Sequence, residues 1–323
     1  MIDIKAIWAN QIPTGDIIIK TRIDEILNFK CYAATNHITG SHLYIMDISR
    51  NTIIPEFKSF KFKGLRIEIF DFNNTKELNI YLLDNQLKDI FSLFIENILQ
   101  DILNCVTENE ALIRTSNVVL KWKKLFDTIN FQGLTLERQK GLIGELLVFN
   151  SFIDEDFSID NLLESWTGPD FEDKDFVFNT KGLEVKFTSS KTPKIKISSE
   201  RQLDTQNLSE LYLILYVAEE VKDSGFSLNS LIEQIRSKIL NHHKALKFFN
   251  ERLLLIGYFE DDVENYNRQY ALKNSYKYLI SDNFPRIISS DLALGVFNTS
   301  YSIELSACES FLINTKSFLK LIN

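Results

Sequence analysis

Several residue types are scarce in this chain of 323 residues, and each scarcity excludes a class of protein. The three cysteines, Cys31, Cys105 and Cys308, are too few and too widely spaced for a disulfide framework, and no C-x-x-C pair is present to hold zinc. The four histidines are too scattered to form a persuasive His/Cys metal site. With 11 glycines and 5 prolines, the chain is neither collagen-like nor dominated by linkers.

Long apolar runs and a leader-like N-terminus are also missing. No stretch of roughly 18 or more apolar residues occurs. The first residues, MIDIKAIWANQ, lack a charged start followed by an apolar run. The sequence therefore predicts no membrane segment and a cytoplasmic location.

The charges that are present are mostly acidic. Asp and Glu number 44 against 36 Lys and Arg, which gives a net charge of −8. Hydrophobic residues make up 45% and charged residues 25%, as is typical of globular proteins, so a disordered chain is excluded. The acidic balance argues against a histone-like positive surface, but an acidic protein can still carry a local basic groove for nucleic acid.

The pattern of apolar residues divides the chain into three segments. Residues 1–84 predict an N-terminal β-rich module, residues 85–132 predict bridging helices, and residues 133–323 predict an α/β domain with a C-terminal extension. The strands expected in the first segment are Asp16–Thr21, His42–Ile48, Leu65–Phe70 and Leu78–Leu83.

The third segment predicts a mixed sheet with flanking helices, because several close strands are followed by a crossover helix. Helices are expected at 136–153 and 228–240. The expected strands are Asp175–Phe178, Leu183–Thr188, Lys194–Ile197, Leu211–Val217 and Leu253–Phe259.

A candidate site lies on the strand that contains Glu184, Val185 and Lys186. Because side chains alternate along a strand, Glu184 and Lys186 share one face while Val185 packs on the other. Asp175 begins a neighbouring strand, so a hairpin between the two strands would place Asp175 beside Glu184. Two nearby carboxylates repel each other unless a cation lies between them, and hard ions such as Mg²⁺ prefer oxygen ligands. A lysine next to them can orient water or neutralise charge on a phosphate, which suits phosphodiester hydrolysis.

A third carboxylate, Glu145, lies in an apolar helical segment between Leu142 and Phe149. Glutamate is rarely buried without a partner, so Glu145 is expected to pair with a cation or to face a metal ion. Gly141 and Gly144 lower the helix propensity of this segment, and we expect them to let the helix approach the sheet closely.

Taken in order along the chain, these residues resemble the PD-(D/E)xK nuclease superfamily, which has the restriction-endonuclease-like fold. More narrowly, the sequence is similar to bacterial PD-(D/E)xK proteins that share a G-E-L helix, a W-x-G-P segment, a D-F strand and an E-V-K-x-T strand. The matching runs are Gly144–Leu146, Trp166–Pro169, Asp175–Phe176 and Glu184–Thr188, followed by Ile195–Ser199 and Gln202–Leu203. The resemblance is close over residues 136–203 and general in the flanks.

The resemblance implies an αβββαβ core and metal-dependent cleavage of DNA. Carried over to this sequence, it makes Asp175 and Glu184 metal ligands and Lys186 the catalytic lysine. Glu145 would be an additional acid and a third metal ligand. The expected cofactor is Mg²⁺, with Mn²⁺ as the alternative.

Two positions remain open. Asp170 belongs to the literal P-D pair and is the alternative first acid, although we favour Asp175 because it starts a strand and is followed by Phe. Lys174 stands where relatives often have His, so its role is open.

Several residues near the site have both a functional and a structural interpretation. Gln202 is a candidate contact to DNA or to the lysine, or a surface residue. Trp166 is interpreted as a core residue, with Gly168 and Pro169 setting a turn. The lysines that follow the site are candidate phosphate contacts or members of a solvated strand face; they are Lys191, Lys194 and Lys196.

The sequence as a whole predicts a Mg²⁺-dependent, type II restriction-like endodeoxyribonuclease acting on double-stranded DNA. Cutting both strands requires two active sites, so a homodimer or a complex with a second nuclease is expected. The resembling proteins are typically encoded beside DNA methyltransferases and ATPases in restriction or phage-defence clusters, which makes both kinds of protein candidate partners. The alternative is a catalytically silent nuclease fold that binds DNA or serves as a structural subunit of such a complex.

Overall fold

The computed structural model describes residues 2–12, 16–23, 28–55, 64–128, 133–170, 172–314 and Phe318. The chain divides into two compact units, residues 1–131 and residues 132–323. The helices of residues 88–128 therefore belong to the same unit as the N-terminal strands. Among the described residues, none of the helices combines the length and the apolar character needed to cross a lipid bilayer.

The first unit contains a five-stranded antiparallel sheet with strand order β1-β2-β3-β5-β4. Its strands are Ile18–Arg22 (β1), Cys31–Asn36 (β2), Ser41–Ser49 (β3), Leu65–Asp71 (β4) and Thr75–Leu82 (β5). Its helices are Ile4–Ala9 (α1), Lys88–Ile102 (α2) and Glu108–Thr128 (α3). The predicted β-rich character is confirmed, but β2 was missed because its two alanines do not produce an alternating apolar pattern.

The second unit is an α/β domain, as predicted. Its helices are Leu136–Asp154 (α4), Ile159–Ser165 (α5), Leu228–Lys238 (α6) and His243–Ile256 (α7). Its strands are Phe176–Phe178 (β6), Lys181–Thr188 (β7), Lys194–Ile197 (β8), Glu210–Val221 (β9), Gln269–Leu279 (β10) and Tyr301–Glu304 (β11). A mixed sheet has the order β10-β9-β7-β6, with β7 and β9 parallel and the other neighbours antiparallel, while β8 and β11 form a separate antiparallel pair.

Strand β9 shows how the second unit builds its core. Alternate residues of this apolar strand are buried in two different hydrophobic clusters. Tyr212, Ile214 and Tyr216 pack with residues of α4, α6 and α7, whereas Leu213 and Leu215 pack with residues of β8 and β11. A strand covered on both faces needs a continuous apolar sequence, and β9 has one.

One predicted strand in this unit is wrong. The run Leu253–Phe259 was expected to be a strand because it is continuously apolar, but Leu253 to Ile256 form the last turn of α7. Ala245, Phe249 and Leu253, four residues apart, form the buried face of that helix. Gly257 then ends the helix with a φ of 96°, a conformation that glycine adopts without a steric penalty. A short apolar run cannot by itself distinguish a strand from a buried helical turn.

Candidate active site

The hairpin of β6 and β7 brings the first two predicted acids together. Phe176 pairs with Leu183 in antiparallel register, so Asp175, directly before β6, is adjacent to Glu184 on β7. The Asp175 Oδ2 atom accepts a hydrogen bond from the Val185 backbone N–H at 2.7 Å. The prediction that Asp175 lies beside Glu184 is therefore confirmed.

Lys186 is held on the same face of β7 by two side-chain oxygens. Its Nζ atom lies 2.6 Å from Glu184 Oε1 and 3.1 Å from Gln202 Oε1. The same Gln202 oxygen accepts the Ser198 backbone N–H at 2.8 Å. The side chain of Glu184 is only 1% exposed and that of Lys186 16% exposed, so the ion pair is largely shielded from water. The contact of Gln202 to the lysine is therefore present, and its contact to DNA stays a prediction.

Helix α4 approaches the sheet at Gly144. A methyl group added there would lie 3.2 Å from Val185 Cγ1 and 3.3 Å from Phe187 Cβ, so the absence of a side chain permits the contact with β7. The expectation of a close approach is confirmed for Gly144. It is wrong for Gly141, where an added methyl group would meet nothing within 4 Å. Glu145, next to Gly144, is carried by this part of the helix.

The W-x-G-P segment holds the carboxylate of Glu145. The Trp166 indole N–H donates to Glu145 Oε2 at 2.6 Å, and Trp166 is fully buried. An added Cβ at Gly168 would lie 2.7 Å from the same oxygen, so glycine leaves room for the carboxylate. Trp166 is a core residue as interpreted, but the sequence analysis missed that it also binds Glu145. A buried indole needs an acceptor for its N–H, and that requirement was the available signal.

Lys174 is a second buried lysine at the site, with a relative exposure of 8%. Its ammonium donates a hydrogen bond to the backbone carbonyl of Arg201. Burial lowers the pKa of Lys174, and the nearby carboxylates of Glu184 and Asp173 oppose this effect. The sequence left the role of this position open.

Burial raises the pKa values of all three carboxyl groups at the site, and repulsion by Asp175 adds to this effect for Glu184 and Glu145. Burial, followed by the negative charge of Asp175, raises the pKa of Glu184 to about 8. The same two causes raise the pKa of Glu145 well above its usual range, although the hydrogen bond from Trp166 lowers it. Burial also raises the pKa of Asp175, against the effect of the Lys186 ammonium. Burial would lower the pKa of Lys186, but the carboxylates of Glu184 and Asp175 outweigh it and raise that pKa.

The chemistry of the donors fits a hard divalent cation. Within the described part of the chain, Glu184 Oε2 is buried and has no hydrogen-bond partner, an arrangement that lowers stability unless another group binds the oxygen. A cation bound there would also offset the repulsion between Asp175 and Glu184. The described residues contain no cluster of three His, Cys, Asp or Glu side chains close enough to hold a metal ion, so the three-ligand set with Glu145 stays a prediction.

The three lysines after the site are not part of this buried group. Lys194 and Lys196 lie on the exposed face of β8, where each is 3.6 Å from an acid, Glu304 and Glu137 respectively. Lys191 is exposed in the preceding loop. The side chain of the alternative acid, Asp170, lies outside the described residues, so the choice of Asp175 over Asp170 stays a prediction.

The fold agrees with what comparison with known proteins shows. Comparison with curated proteins and with solved structures found no significant match. Residues 4–306 match the family model described as "Putative PD-(D/E)XK family member, (DUF4420)". Because this match covers nearly the whole chain, both compact units are included in it. The chain belongs to this PD-(D/E)XK family.

Proposed function

We propose that the protein is a metal-dependent endonuclease that hydrolyses phosphodiester bonds of DNA. The observation that carries the proposal is the partnerless oxygen of Glu184, since among the described residues nothing hydrogen-bonds to this buried atom. The other oxygen of the same carboxylate accepts from Lys186 at 2.6 Å. One carboxylate thus holds a lysine and presents a second oxygen suited to a cation. Membership of a PD-(D/E)XK family supports the nuclease-like fold.

Asp175 and Glu184 would hold the metal ion, and Mg²⁺ is the ion we propose, with Mn²⁺ as the substitute. When bound, the ion supplies positive charge that stabilises the negative charge developing on the phosphate. The Val185 N–H fixes one oxygen of Asp175, and Lys186 fixes one oxygen of Glu184. These contacts orient the two remaining oxygens before the substrate binds, which is the condition for electrostatic catalysis.

Lys186 is the residue we propose to act on the attacking water or on the phosphate. Its ammonium has three N–H groups, and two of them donate to Glu184 and Gln202. The remaining N–H can donate to a phosphate oxygen or orient a water molecule. Because its neighbours keep the pKa of Lys186 above the ordinary value, the residue is an ammonium donor rather than a base at neutral pH.

The proposed substrate is double-stranded DNA, and the proposed setting is a restriction or phage-defence system with methyltransferase or ATPase partners. Two cuts in a duplex need two sites, so we propose that a homodimer performs the cleavage. The exposed lysines of β8 and the preceding loop, Lys191, Lys194 and Lys196, would add contacts to phosphates.

Cleavage of plasmid DNA during a titration with Mg²⁺ or Mn²⁺ tests the proposal. We expect the wild type to cleave only with metal, and Glu184→Gln to reduce the rate on the order of 10²–10⁴-fold, because it removes a proposed metal ligand and with it the positive charge that the ion would supply in the transition state. The matched control is Lys244→Met, which changes an exposed residue of α7 and should leave the rate unchanged.

The binding of the same DNA, measured with the Glu184→Gln variant, separates the outcomes. Retained binding without cleavage supports the endonuclease. A wild type that binds DNA but cleaves none with any divalent ion would show a silent nuclease fold and contradict the proposal.

A further inference from the structure

The turn of residues 198–203 connects to the site at two points that the proposed mechanism does not explain. At the first, the side-chain oxygen of Gln202 accepts from both Lys186 Nζ and the Ser198 N–H. At the second, one residue earlier, the carbonyl of Arg201 accepts from the buried ammonium of Lys174. The position of the Gln202 oxygen therefore depends on a turn whose backbone is itself bound by a lysine.

Lys174 is itself fixed in place. Its backbone carbonyl accepts from Thr167 Oγ1 at 2.9 Å, and the next residue is Asp175, whose carbonyl accepts the backbone N–H groups of Thr167 and Gly168 at 2.9 and 3.0 Å. With only 8% exposure, the side chain has little freedom to leave the carbonyl of Arg201. A charged donor buried beside an acceptor makes a stronger hydrogen bond than a neutral one.

The turn has a second anchor away from the site. The carboxylate of Glu200 accepts the backbone N–H groups of Asn298 and Thr299 at 3.3 and 2.7 Å. This contact binds the turn to the segment before β11 without reaching Lys186. Arg286 Nη1 also donates to the carbonyl of Leu203 at 2.6 Å. Lys174 is the contact that holds the carbonyl of Arg201, directly before Gln202.

We propose that Lys174 is a positioning residue of the nuclease site, which fixes the Arg201–Gln202 backbone so that the Gln202 oxygen holds the Lys186 ammonium. The kinetic part of this inference rests on the proposed function. Lys174 acts through Gln202 and Lys186, and it need not touch the substrate.

Kinetics of Lys174→Met distinguish positioning from other roles. We expect kcat to fall about tenfold or more while KM for DNA stays within about twofold, because Lys186 becomes less well oriented while the groups that bind DNA are unchanged. In the double variant Lys174→Met/Gln202→Ala, the reduction should be no greater than that of the larger single change, because both changes break one connection. Lys174→Arg, which keeps a cationic donor, should recover most of the rate, and Lys244→Met is the matched control.

Hydrogen–deuterium exchange supplies a measurement that does not depend on cleavage. In Lys174→Met we expect faster exchange of the Ser198 amide and of the turn, with α4 and β9 unchanged, since the Ser198 N–H is bound by Gln202. If Lys174→Met does not fold, Lys174→Gln replaces it in both measurements.

Unchanged hydrogen–deuterium exchange in the turn of the Lys174→Met variant would overturn the inference. A double variant whose reduction in kcat equals the product of the two single reductions would also overturn it. A wild type without any cleavage would refute the proposed function, while the exchange experiment would still decide whether Lys174 orders the turn.

Discussion

Strands β7 and β8 both carry charged side chains at alternate positions but place them in opposite environments. On β7, Lys186 lies 2.6 Å from Glu184, with side-chain exposures of 16% and 1%. On β8, Lys194 lies 3.6 Å from Glu304 of the neighbouring strand β11, with exposures of 56% and 73%; we call these two residues the β8 pair. The spacing of charged residues along a strand thus defines which of them share a face, and burial of that face decides whether they can form a site.

The difference has an electrostatic cause. An exposed pair is screened by water and contributes about 0–1 kcal/mol. A buried pair has lost its hydration, so each charge depends on its protein neighbours, and removing one partner leaves an uncompensated charge. The β7 pair is therefore sensitive to any change nearby, whereas the β8 pair is not.

The largest expected effect is on stability, when the lysine of the buried β7 pair is replaced. The same replacement in the exposed β8 pair is the comparison. At pH 9, Lys186→Met should lower the free energy of unfolding by about 3–5 kcal/mol, because buried carboxylates then lack their cation. Lys194→Met should change it by about 0.5 kcal/mol or less. Urea denaturation of both variants measures this difference, and equal values for the two would show that the β7 pair is not energetically distinct.

A smaller effect on stability is expected from replacing the two glycines of α4. Gly144 faces β7, and Gly141 does not. Gly144→Ala should destabilise the protein by about 1–3 kcal/mol, because the added methyl group presses on Val185 and Phe187. Gly141→Ala, in open space on the same helix, should stabilise it by about 0.5–1 kcal/mol. Thermal unfolding of the two variants gives the sign of each change, and a stabilising Gly144→Ala would contradict the close packing.

The raised pKa of Glu184 predicts a pH dependence of stability. The carboxyl loses its proton near its ordinary pKa of 4.5 in the unfolded chain but near 8 in the folded protein. The folded state therefore binds more protons between these values, and its stability decreases as the pH rises, by at most about 1.4 kcal/mol per pH unit for this group.

Thermal unfolding in chelator from pH 5 to pH 8 should show this decline, and Glu184→Gln should make it shallower. The exposed acid of the β8 pair supplies the control, since Glu304→Gln should leave the slope unchanged. A slope that is identical in the wild type and in Glu184→Gln would contradict the raised pKa.

The smallest effect is expected on DNA affinity from the exposed lysines. Replacing Lys194 and Lys196 by Gln should weaken binding severalfold, regardless of sequence, and reduce the slope of log affinity against log salt by about 1 for each phosphate that is no longer neutralised. Fluorescence anisotropy at several salt concentrations measures both quantities. An unchanged slope would show that β8 is only a solvated face.

Local patterns predicted much of the fold and of the candidate site. Alternation along β7 put Glu184 and Lys186 on one face, and the hairpin considered between the two strands is the one that brings Asp175 alongside Glu184. The pattern of a short stretch predicted the wrong structure where a strand and a buried helical turn have the same apolar pattern, as at the end of α7. They also failed for β2, where small residues carry little signal.

Contacts between distant parts of the chain were beyond such patterns. The spacing of Trp166 and Glu145 does not indicate that an indole N–H binds that carboxylate. The residues around Lys174 likewise do not indicate that its ammonium binds the carbonyl of Arg201. Both contacts depend on how helices and turns pack against the sheet. The motif residues could be identified from the sequence, but these two contacts could not be predicted from it.

By itself, the sequence determined the α/β class and the sharing of one strand face by an acid and a lysine, because both follow from local periodicity. It also gave the order of the motif residues, which is read directly along the chain. Only the tertiary structure decided that this face is buried, that one oxygen of Glu184 is left without a partner among the described residues, and that Gln202 binds Lys186 while Lys174 binds the carbonyl of Arg201. Burial strengthens electrostatic interactions and shifts pKa values, and it arises only when distant segments of the chain exclude water together.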